Sequence, residues 1–157
     1  MNDGPDLPDI RQREQPFVWP VRVYYEDTDS AGIVYYANYL RYFERARTEW
    51  LRALGFEQTD LAVQYGVVFV VRSIAVEYLR PARFNDALSI SVELDDVSAS
   101  QITMQQRVLR ADDTLVESRV RLACVNIVAM KPVRIPKAIA AQASARIINT
   151  KTRITAT

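Results

Sequence analysis

The chain has no histidine and only one cysteine among its 157 residues. Without imidazole, the chain has no Ser-His-Asp or Cys-His relay, no His-ligated zinc site and no ordinary general base for neutral pH. The single cysteine, Cys124, excludes an internal disulfide, and the apolar residues around it predict a buried thiol. Any catalysis must therefore use carboxylates, tyrosines, lysine or backbone dipoles.

Long hydrophobic runs and an excess of charge are also missing. No segment has the ~18 uncharged apolar residues of a membrane span, and residues 1–16 contain no apolar core of a signal peptide, so we expect a cytoplasmic protein. Twenty basic and nineteen acidic residues give a net charge of +1, which provides no reason to expect binding to nucleic acid or to an anionic membrane.

Length and composition predict one globular domain with polar ends. Residues 1–16 are rich in Asp, Pro, Arg and Gln, which predicts a disordered arm. The domain is expected over residues 17–137. Residues 138–157 are alanine-rich and then basic, which predicts a tail with a short helix and a frayed end.

An acidic turn before a helix is the most informative feature of the chain. The run Glu26-Asp27-Thr28-Asp29 follows the extended stretch Val21–Tyr25 and precedes an amphipathic helix over Asn38–Gly55. A helix N-terminus carries unpaired N–H groups and partial positive charge, so it can polarise a carbonyl beside a carboxylate. Acid chemistry at this turn is the hypothesis.

Two simpler interpretations of the turn compete with this one. Asp27 or Asp29 has the side chain of a solvated helix cap, which is the commoner role for such residues and stays open from the turn alone. The spacing of Asp27, Asp29 and Gly32 also matches positions 1, 3 and 6 of a calcium-binding loop. That match fails where Ala31 and Asn38 replace two of the required ligands.

The remaining periodicity predicts an α+β fold. A second helix is expected over Asp60–Tyr65, capped by Thr59 or Asp60 and ended by Gly66. Four alternating or β-branched segments then predict consecutive antiparallel strands. These are Val67–Leu79, Ala87–Leu94, Ile102–Leu109 and Leu115–Ala129. With Val21–Tyr25 they make five strands, and wrapping that sheet around the long helix buries the apolar stripe of the helix.

Several separated motifs, in the same order, resemble one enzyme family. The matching segments are Trp19–Asp29, Ala31–Tyr35, Phe43–Glu49, Phe69–Arg72, Val76–Arg83 and Met130–Pro132. They resemble the hotdog-fold acyl-CoA thioesterases of the Tol-Pal-associated branch, which is close to the 4-hydroxybenzoyl-CoA thioesterases. The resemblance covers residues 17 to 137 and implies a hotdog fold, in which a five-stranded antiparallel sheet wraps around one long helix.

The resemblance also implies roles for three residues. Asp29 matches the carboxylate that acts as nucleophile or as general base on water, and Tyr25 matches a tyrosine beside it. The backbone N–H of Tyr36 matches the donor that polarises the thioester carbonyl. The Tol-Pal-associated branch typically has histidine at the position of Tyr36, whereas the 4-hydroxybenzoyl branch has tyrosine. The chain thus combines the body of one branch with a site residue of the other.

The implied substrate is an acyl-CoA, with a short aliphatic or aromatic acyl group. Its phosphates call for basic residues near the pocket. The candidates are Arg72, Arg80, Arg83, Lys131 and Arg134. No metal or cofactor is implied. Relatives place the site between two subunits, so a homodimer is the expected minimum assembly, with a homotetramer as the larger one.

A rival hypothesis is a binding role. A hotdog protein that binds acyl-CoA or acyl carrier protein with little turnover, as a partner in the envelope or in lipid metabolism, fits the loss of the branch's histidine. The presence of Asp29 favours hydrolysis instead.

Overall fold

The structure is a computed structural model that describes residues 16–155, with side chains up to residue 147. A five-stranded sheet and three α-helices make up most of this part of the chain. In chain order these elements are β1 (Phe17–Arg22), α1 (Asn38–Ala53), α2 (Gln58–Tyr65), β2 (Val67–Tyr78), β3 (Ala87–Val97), β4 (Gln101–Arg110), β5 (Asp113–Asn126) and α3 (Lys137–Thr155). A short 3-10 turn, Tyr25–Asp27, lies between β1 and α1.

All neighbouring strands are antiparallel, and their order across the sheet is β1-β3-β4-β5-β2. Alternate side chains of the strands face α1, as the period of two requires. In β4, for example, Ile102, Met104 and Val108 are buried, while Gln105 and Arg107 are exposed. The apolar face of the sheet therefore forms one side of the core.

Helix α1 forms the other side of the core. Its buried stripe includes Tyr42, Phe43, Ala46 and Trp50, which recur at helical spacing. Gln106 is the polar exception on the facing strand. Its side-chain amide is completely buried, donates to the Phe43 carbonyl at 3.1 Å and accepts from Arg47 at 3.0 Å. These bonds fix the helix against the sheet without leaving a buried amide unpaired.

The edge of the sheet at β2 has no partner strand within the described residues. This strand is twelve residues long and is paired only on the side of β5. Its register shifts between Val71 and Ser73, where Arg72 forms a bulge. A long edge strand offers unpaired backbone groups to another chain.

The architecture confirms the predicted hotdog fold, with corrections at its boundaries. Strand β1 was predicted over Val21–Tyr25 but runs from Phe17 to Arg22, because the chain turns at Tyr25. Helix α2 begins after Glu57 and has no side-chain cap, so the predicted cap by Thr59 or Asp60 is wrong; its predicted end at Gly66, with a left-handed backbone (φ 64°), is confirmed.

The C-terminal helix is longer than the sequence predicted. Helix α3 spans 19 residues, and its Ile139 and Ala143 are buried in the core and pack towards β3. The unit that packs together thus continues beyond the predicted boundary at residue 137. The predicted arm over residues 1–16 lies outside the described residues except for Pro16.

The side chain of Cys124 is completely buried on the inner face of β5, as its apolar neighbours predicted. Burial raises the pKa of the Cys124 thiol. Among the described residues, no helix combines the length and apolar character needed to span a bilayer.

Candidate active site

The acidic turn folds back on itself through backbone hydrogen bonds. The Asp29 N–H donates to the Ile33 carbonyl at 2.9 Å, and the Gly32 N–H donates to the Asp29 carbonyl at 3.0 Å. Gly32 has a φ of 77°, a conformation that glycine adopts without strain. The Thr28 and Val34 backbones form an isolated bridge across the loop. The turn is therefore a closed loop that returns the chain to the start of α1.

Asp29 is exposed at the tip of this loop. Its Oδ1 accepts a hydrogen bond from the Ala31 N–H at 2.8 Å, and no partner of Oδ2 is recorded among the described residues. One carboxylate oxygen thus orients the side chain, and the other is left without a hydrogen-bond partner within the described residues. A carboxylate with a free oxygen suits attack on a carbon or removal of a proton.

Asp27 has a different environment, although it lies only two positions away. It is 6% exposed, and its Oδ2 accepts from the Tyr24 N–H at 2.8 Å while its Oδ1 accepts from the Asn38 side-chain amide at 3.0 Å. The Asp27 carbonyl also accepts from the Tyr35 N–H at 3.0 Å. Asp27 therefore ties the end of β1 to the first residue of α1.

Neither Asp27 nor Asp29 caps α1 by a side-chain hydrogen bond, so the capping alternative does not hold for this helix. Asp27 is held by its bonds to the Tyr24 N–H and the Asn38 amide, and within the described residues it forms no ion pair with the nearby helix residues Arg45 and Arg47. Arg47 instead donates to Gln106, and Arg45 lies over the Tyr42 ring. Burial and the neighbouring Asp27 carboxylate raise the pKa of Tyr42.

The start of α1 presents open hydrogen-bond donors. Ala37 occupies the N-cap position and offers no side-chain acceptor. The Asn38 N–H donates to the Tyr35 carbonyl at 2.8 Å, but no acceptor is recorded within the described chain for the N–H groups of Tyr36 and Ala37. Unpaired N–H groups at a helix start favour an oxygen that carries negative charge. This arrangement is the one that carbonyl polarisation at Tyr36 requires.

Aromatic rings surround the loop. Tyr25 is 81% exposed and packs edge-on against Phe84, with 5.9 Å between ring centroids, and no contact with Asp29 is recorded among the described residues. Tyr36 is exposed and contacts the ring of Tyr78, with 6.3 Å between centroids. Tyr36 and Tyr78 thus form an aromatic surface at the start of α1, and Tyr25 and Phe84 form a second ring pair.

The structure separates the five predicted basic residues into groups. All five are exposed. Arg80 and Arg83 lie in the connection from β2 to β3, which runs along the acidic loop, since Arg83 forms an isolated bridge with Ile33. Arg80 also forms a 3.5 Å ion pair with Asp113 on the surface. These two arginines lie at the same end of the sheet as Asp29.

The other three candidates lie farther along β2. Arg72 is at the bulge in the strand. Lys131 lies beside the beginning of β2, because its carbonyl accepts from the N–H of Asn126, the residue that pairs with Val67. The C-terminal side of that segment holds Arg134. A twelve-residue strand extends roughly 36 Å, so Lys131 and the Asp29 loop of the same chain lie near opposite ends of β2.

Two concave surfaces lie away from Asp29. One, of about 450 Å³, is on the outer face of the sheet and includes Glu77, Arg107 and Arg119. The other, of about 350 Å³, lies between α1 and the beginning of β2 and is mainly apolar, with Trp50, Phe69 and Met104 among its walls. Glu44, Arg47 and Gln58 also line the second cavity.

Known proteins are similar to this chain in sequence and in fold. The sequence model of the Thioesterase-like superfamily matches residues 23–143. The chain belongs to this superfamily. The match includes the acidic loop, α1 and the whole sheet after β1, and its end at residue 143 falls within α3.

Individual thioesterases are similar over most of their length. The Acyl-CoA thioesterase YbgC of Haemophilus influenzae is 45% identical over 125 residues, which cover 80% of this chain and 92% of that protein. The Acyl-CoA thioester hydrolase YbgC of Escherichia coli O157:H7 is 46% identical over 127 residues, covering 80% and 94%. A crystal structure of a probable thioesterase from Bartonella henselae superimposes with a TM-score of 0.75 at 37% identity, covering 78% of this chain and 100% of that one.

Sequence reasoning about this thioesterase missed several residues that shape the site. Asn38 holds Asp27, Phe84 supports Tyr25, and Tyr78 contacts Tyr36. Of these residues, only Tyr78 could have been placed from the sequence. It continues the alternation of Ile74 and Val76, which predicts an inward-facing side chain at the end of β2. A tyrosine at that position places a polar hydroxyl at the rim of the core.

Proposed function

We propose that the chain hydrolyses acyl-CoA thioesters to a carboxylic acid and free CoA. One observation carries the proposal: an exposed carboxylate, Asp29, lies on a closed loop beside a helix start whose Tyr36 N–H has no recorded acceptor in the described chain. A nucleophile or base and an oxyanion donor are the two groups that thioester hydrolysis needs. The names of the similar thioesterases support the same substrate class.

Two routes use these groups. In the nucleophilic route, an Asp29 oxygen attacks the acyl carbon, CoA leaves as a thiolate that takes up a proton, and water cleaves the mixed anhydride. In the general-base route, Asp29 removes a proton from water as that water attacks the acyl carbon, and the leaving thiolate is protonated. In both routes the carbonyl oxygen gains negative charge in front of the Tyr36 N–H.

We further propose that the active unit is a homodimer joined along β2. Antiparallel pairing of two β2 edges around the bulge at Arg72 extends the sheet without changing either subunit. The same pairing brings the beginning of one β2 towards the end of the other, which adds the partner subunit's 350 Å³ apolar cavity to the Asp29 loop. It also returns the Lys131 region of one chain to the active site of the other, where CoA phosphates need cations.

Arg80 and Arg83 are the phosphate-binding candidates within the same chain, because they border the acidic loop. Tyr25 lines the same surface through its contact with Phe84 and has the role of shaping the pocket. We place the reaction in the cytoplasm. Thioesters of CoA and of acyl carrier protein are the two classes of substrate to test.

The deciding experiment measures thiol release from a panel of short aliphatic, long aliphatic and aromatic acyl-CoAs by the wild type and Asp29→Asn. We expect hydrolysis by the wild type and a loss of at least about 10²-fold in kcat for the variant, because a nucleophile or base contributes that much. The melting temperature should not change, since Asp29 is exposed. Binding of acyl-CoA without thiol release by the wild type would instead support the binding role.

A further inference from the structure

Tyr78 connects the end of β2 to the start of α1. It is the last residue of the strand, on the inward-facing side, and its hydroxyl donates to the Tyr36 carbonyl at 2.8 Å. Its ring contacts Tyr36 at 6.3 Å and Tyr39 at 5.6 Å between centroids. One side chain thus holds the segment before α1 by both a hydrogen bond and ring packing.

The Tyr36 carbonyl lies one residue before the N-cap, Ala37, so no N–H of α1 is expected to bond to it. The Leu40 N–H donates to the Ala37 carbonyl at 3.2 Å, and the Tyr78 hydroxyl is the donor to the Tyr36 carbonyl within the described chain. The hydroxyl of Tyr78 therefore supplies a hydrogen bond that the helix itself does not.

Holding this carbonyl also sets the direction of one open N–H group. In a planar trans peptide, the C=O and N–H point in opposite directions, so the Tyr36 carbonyl and the Ala37 N–H move as one plane. The Tyr36 N–H belongs to the preceding peptide, whose Tyr35 carbonyl accepts from the Asn38 N–H at 2.8 Å. Fixing the Tyr36 carbonyl towards Tyr78 thus sets the direction of the Ala37 N–H, which has no acceptor in the described chain.

A second set of contacts keeps Tyr78 in place. The Tyr39 ring packs on Tyr78, and the Tyr39 hydroxyl accepts from the Ala82 N–H at 3.0 Å. The Ala82 carbonyl in turn accepts from the Val34 N–H at 2.9 Å, in the acidic loop. The start of α1, the end of β2 and the Asp29 loop are therefore connected through one series of contacts.

Tyr78 stays a hydrogen-bond donor in the neutral pH range. Partial burial, and next the interaction with Tyr36, raise the pKa of its phenol above the usual value. Tyr36 from the loop and Tyr39 from α1 are the titratable groups in ring contact with it, and its neighbour in β5, Val116, is uncharged.

We infer that Tyr78 is a positioning residue for thioester hydrolysis: its hydroxyl holds the Tyr36 carbonyl and so aims the Ala37 N–H, the open donor next to that of Tyr36, towards the thioester oxygen. The inference rests on the proposed function. It assigns no contact between Tyr78 and the substrate.

The test is Tyr78→Phe, which keeps the ring and removes the hydroxyl. We expect kcat to fall about tenfold, less than the 10²-fold or more for loss of an oxyanion donor itself, with KM within about twofold. Tyr65→Phe is the matched control, because Tyr65 is an exposed tyrosine at the end of α2, and it should retain wild-type kinetics.

Two inhibitors separate positioning from a general structural role. A CoA methyl ketone presents a carbonyl oxygen to the helix start, whereas an S-alkyl-CoA thioether has no carbonyl. Tyr78→Phe should weaken inhibition by the ketone several-fold and leave inhibition by the thioether unchanged. Equal weakening of both inhibitors, or a kcat within about twofold of the wild type, overturns the inference. If the wild type itself releases no thiol, the proposed function fails instead.

A second variant avoids any problem of folding. Site-specific fluorotyrosine at position 78 keeps the hydroxyl but brings its ionisation closer to neutral pH, and a phenolate cannot donate to the Tyr36 carbonyl. We expect kcat to gain a new decrease at alkaline pH that the wild type lacks. An unchanged pH profile overturns the inference.

Discussion

Two carboxylates in the acidic loop show how position alone divides roles between identical side chains. Both oxygens of Asp27 accept hydrogen bonds inside the protein, whereas Asp29 is exposed with one oxygen engaged. The sequence predicts a carboxylate cluster before a helix, but the distribution of roles depends on Asn38, which lies eleven positions after Asp27. That contact has no local signature, so only the structure identifies Asp27 as the buried member.

The roles can be separated by mutation of Asp27. We expect Asp27→Asn to lower the free energy of unfolding by about 1–3 kcal/mol, because an amide cannot accept from both the Tyr24 N–H and the Asn38 amide as the carboxylate does. Chemical denaturation would measure this loss. Asp29→Asn is the matched control and should keep wild-type stability while losing activity. A fully stable Asp27→Asn contradicts the anchoring role.

Tyr36 should adjust substrate choice more than chemistry. Its backbone N–H is present whatever the side chain, and a neutral phenol donates a hydrogen bond but is not a general base near neutral pH. Tyr36→Phe should therefore keep substantial activity, and Tyr36→His should change the ratio of kcat/KM between acyl groups by the equivalent of about 1–3 kcal/mol. The measurement is kcat/KM across several acyl-CoAs. If the Tyr36→Phe protein is folded but has lost all activity, the phenol takes part in catalysis and the prediction is wrong.

At the level of elements, side-chain periodicity predicted most of the fold. The strands after Gly66 and the long helix alternate or recur clearly, so β2 to β5 and α1 were placed within a few residues of their observed bounds. The predicted first strand extends too far because Tyr25 continues the alternation of Val21 and Val23. The strand ends earlier because the Asp27 carboxylate takes up the Tyr24 N–H.

The sequence predicts a shorter helix than α3 because the periodic signal in this segment is weak. Two of its residues, Ile139 and Ala143, are completely buried, and alanine gives a weak periodic signal. Contacts in the candidate site are also hard to predict from the sequence. Tyr78 and Tyr36 are 42 positions apart, so their hydrogen bond depends on how the sheet packs and not on any local pattern.

The packing of α3 has a direct test. We expect Ile139→Ala to lower the free energy of unfolding by about 2–5 kcal/mol, as for other large-to-small changes in a core. Gln142→Ala, on the exposed side of the same helix, should stay within about 0.5 kcal/mol of the wild type. Thermal or denaturant unfolding compares the two. Equal stability of both variants would falsify a structural role for the residues after 137.

At the level of the whole molecule, the unpaired β2 edge and the distance of Lys131 from Asp29 both favour an assembly of two chains. We expect turnover to be lost when the protein is diluted to monomer, because each active site lacks the partner's cavity. Sedimentation and activity, measured over one concentration series, should decrease together. The Asp29→Asn protein should dissociate over the same range, since its edge is unchanged. A fully active monomer rules out the dimeric site.

Because the Cys124 thiol is buried, the folded protein adds little background signal to a thiol assay for released CoA. Its side chain has no exposed surface and its pKa is raised, so a thiol-specific dye reacts with free CoA far faster than with the native chain. The same dye then reports both turnover and integrity. A fast signal that depends on substrate records hydrolysis, whereas slow labelling of one equivalent, independent of substrate, records opening of the core.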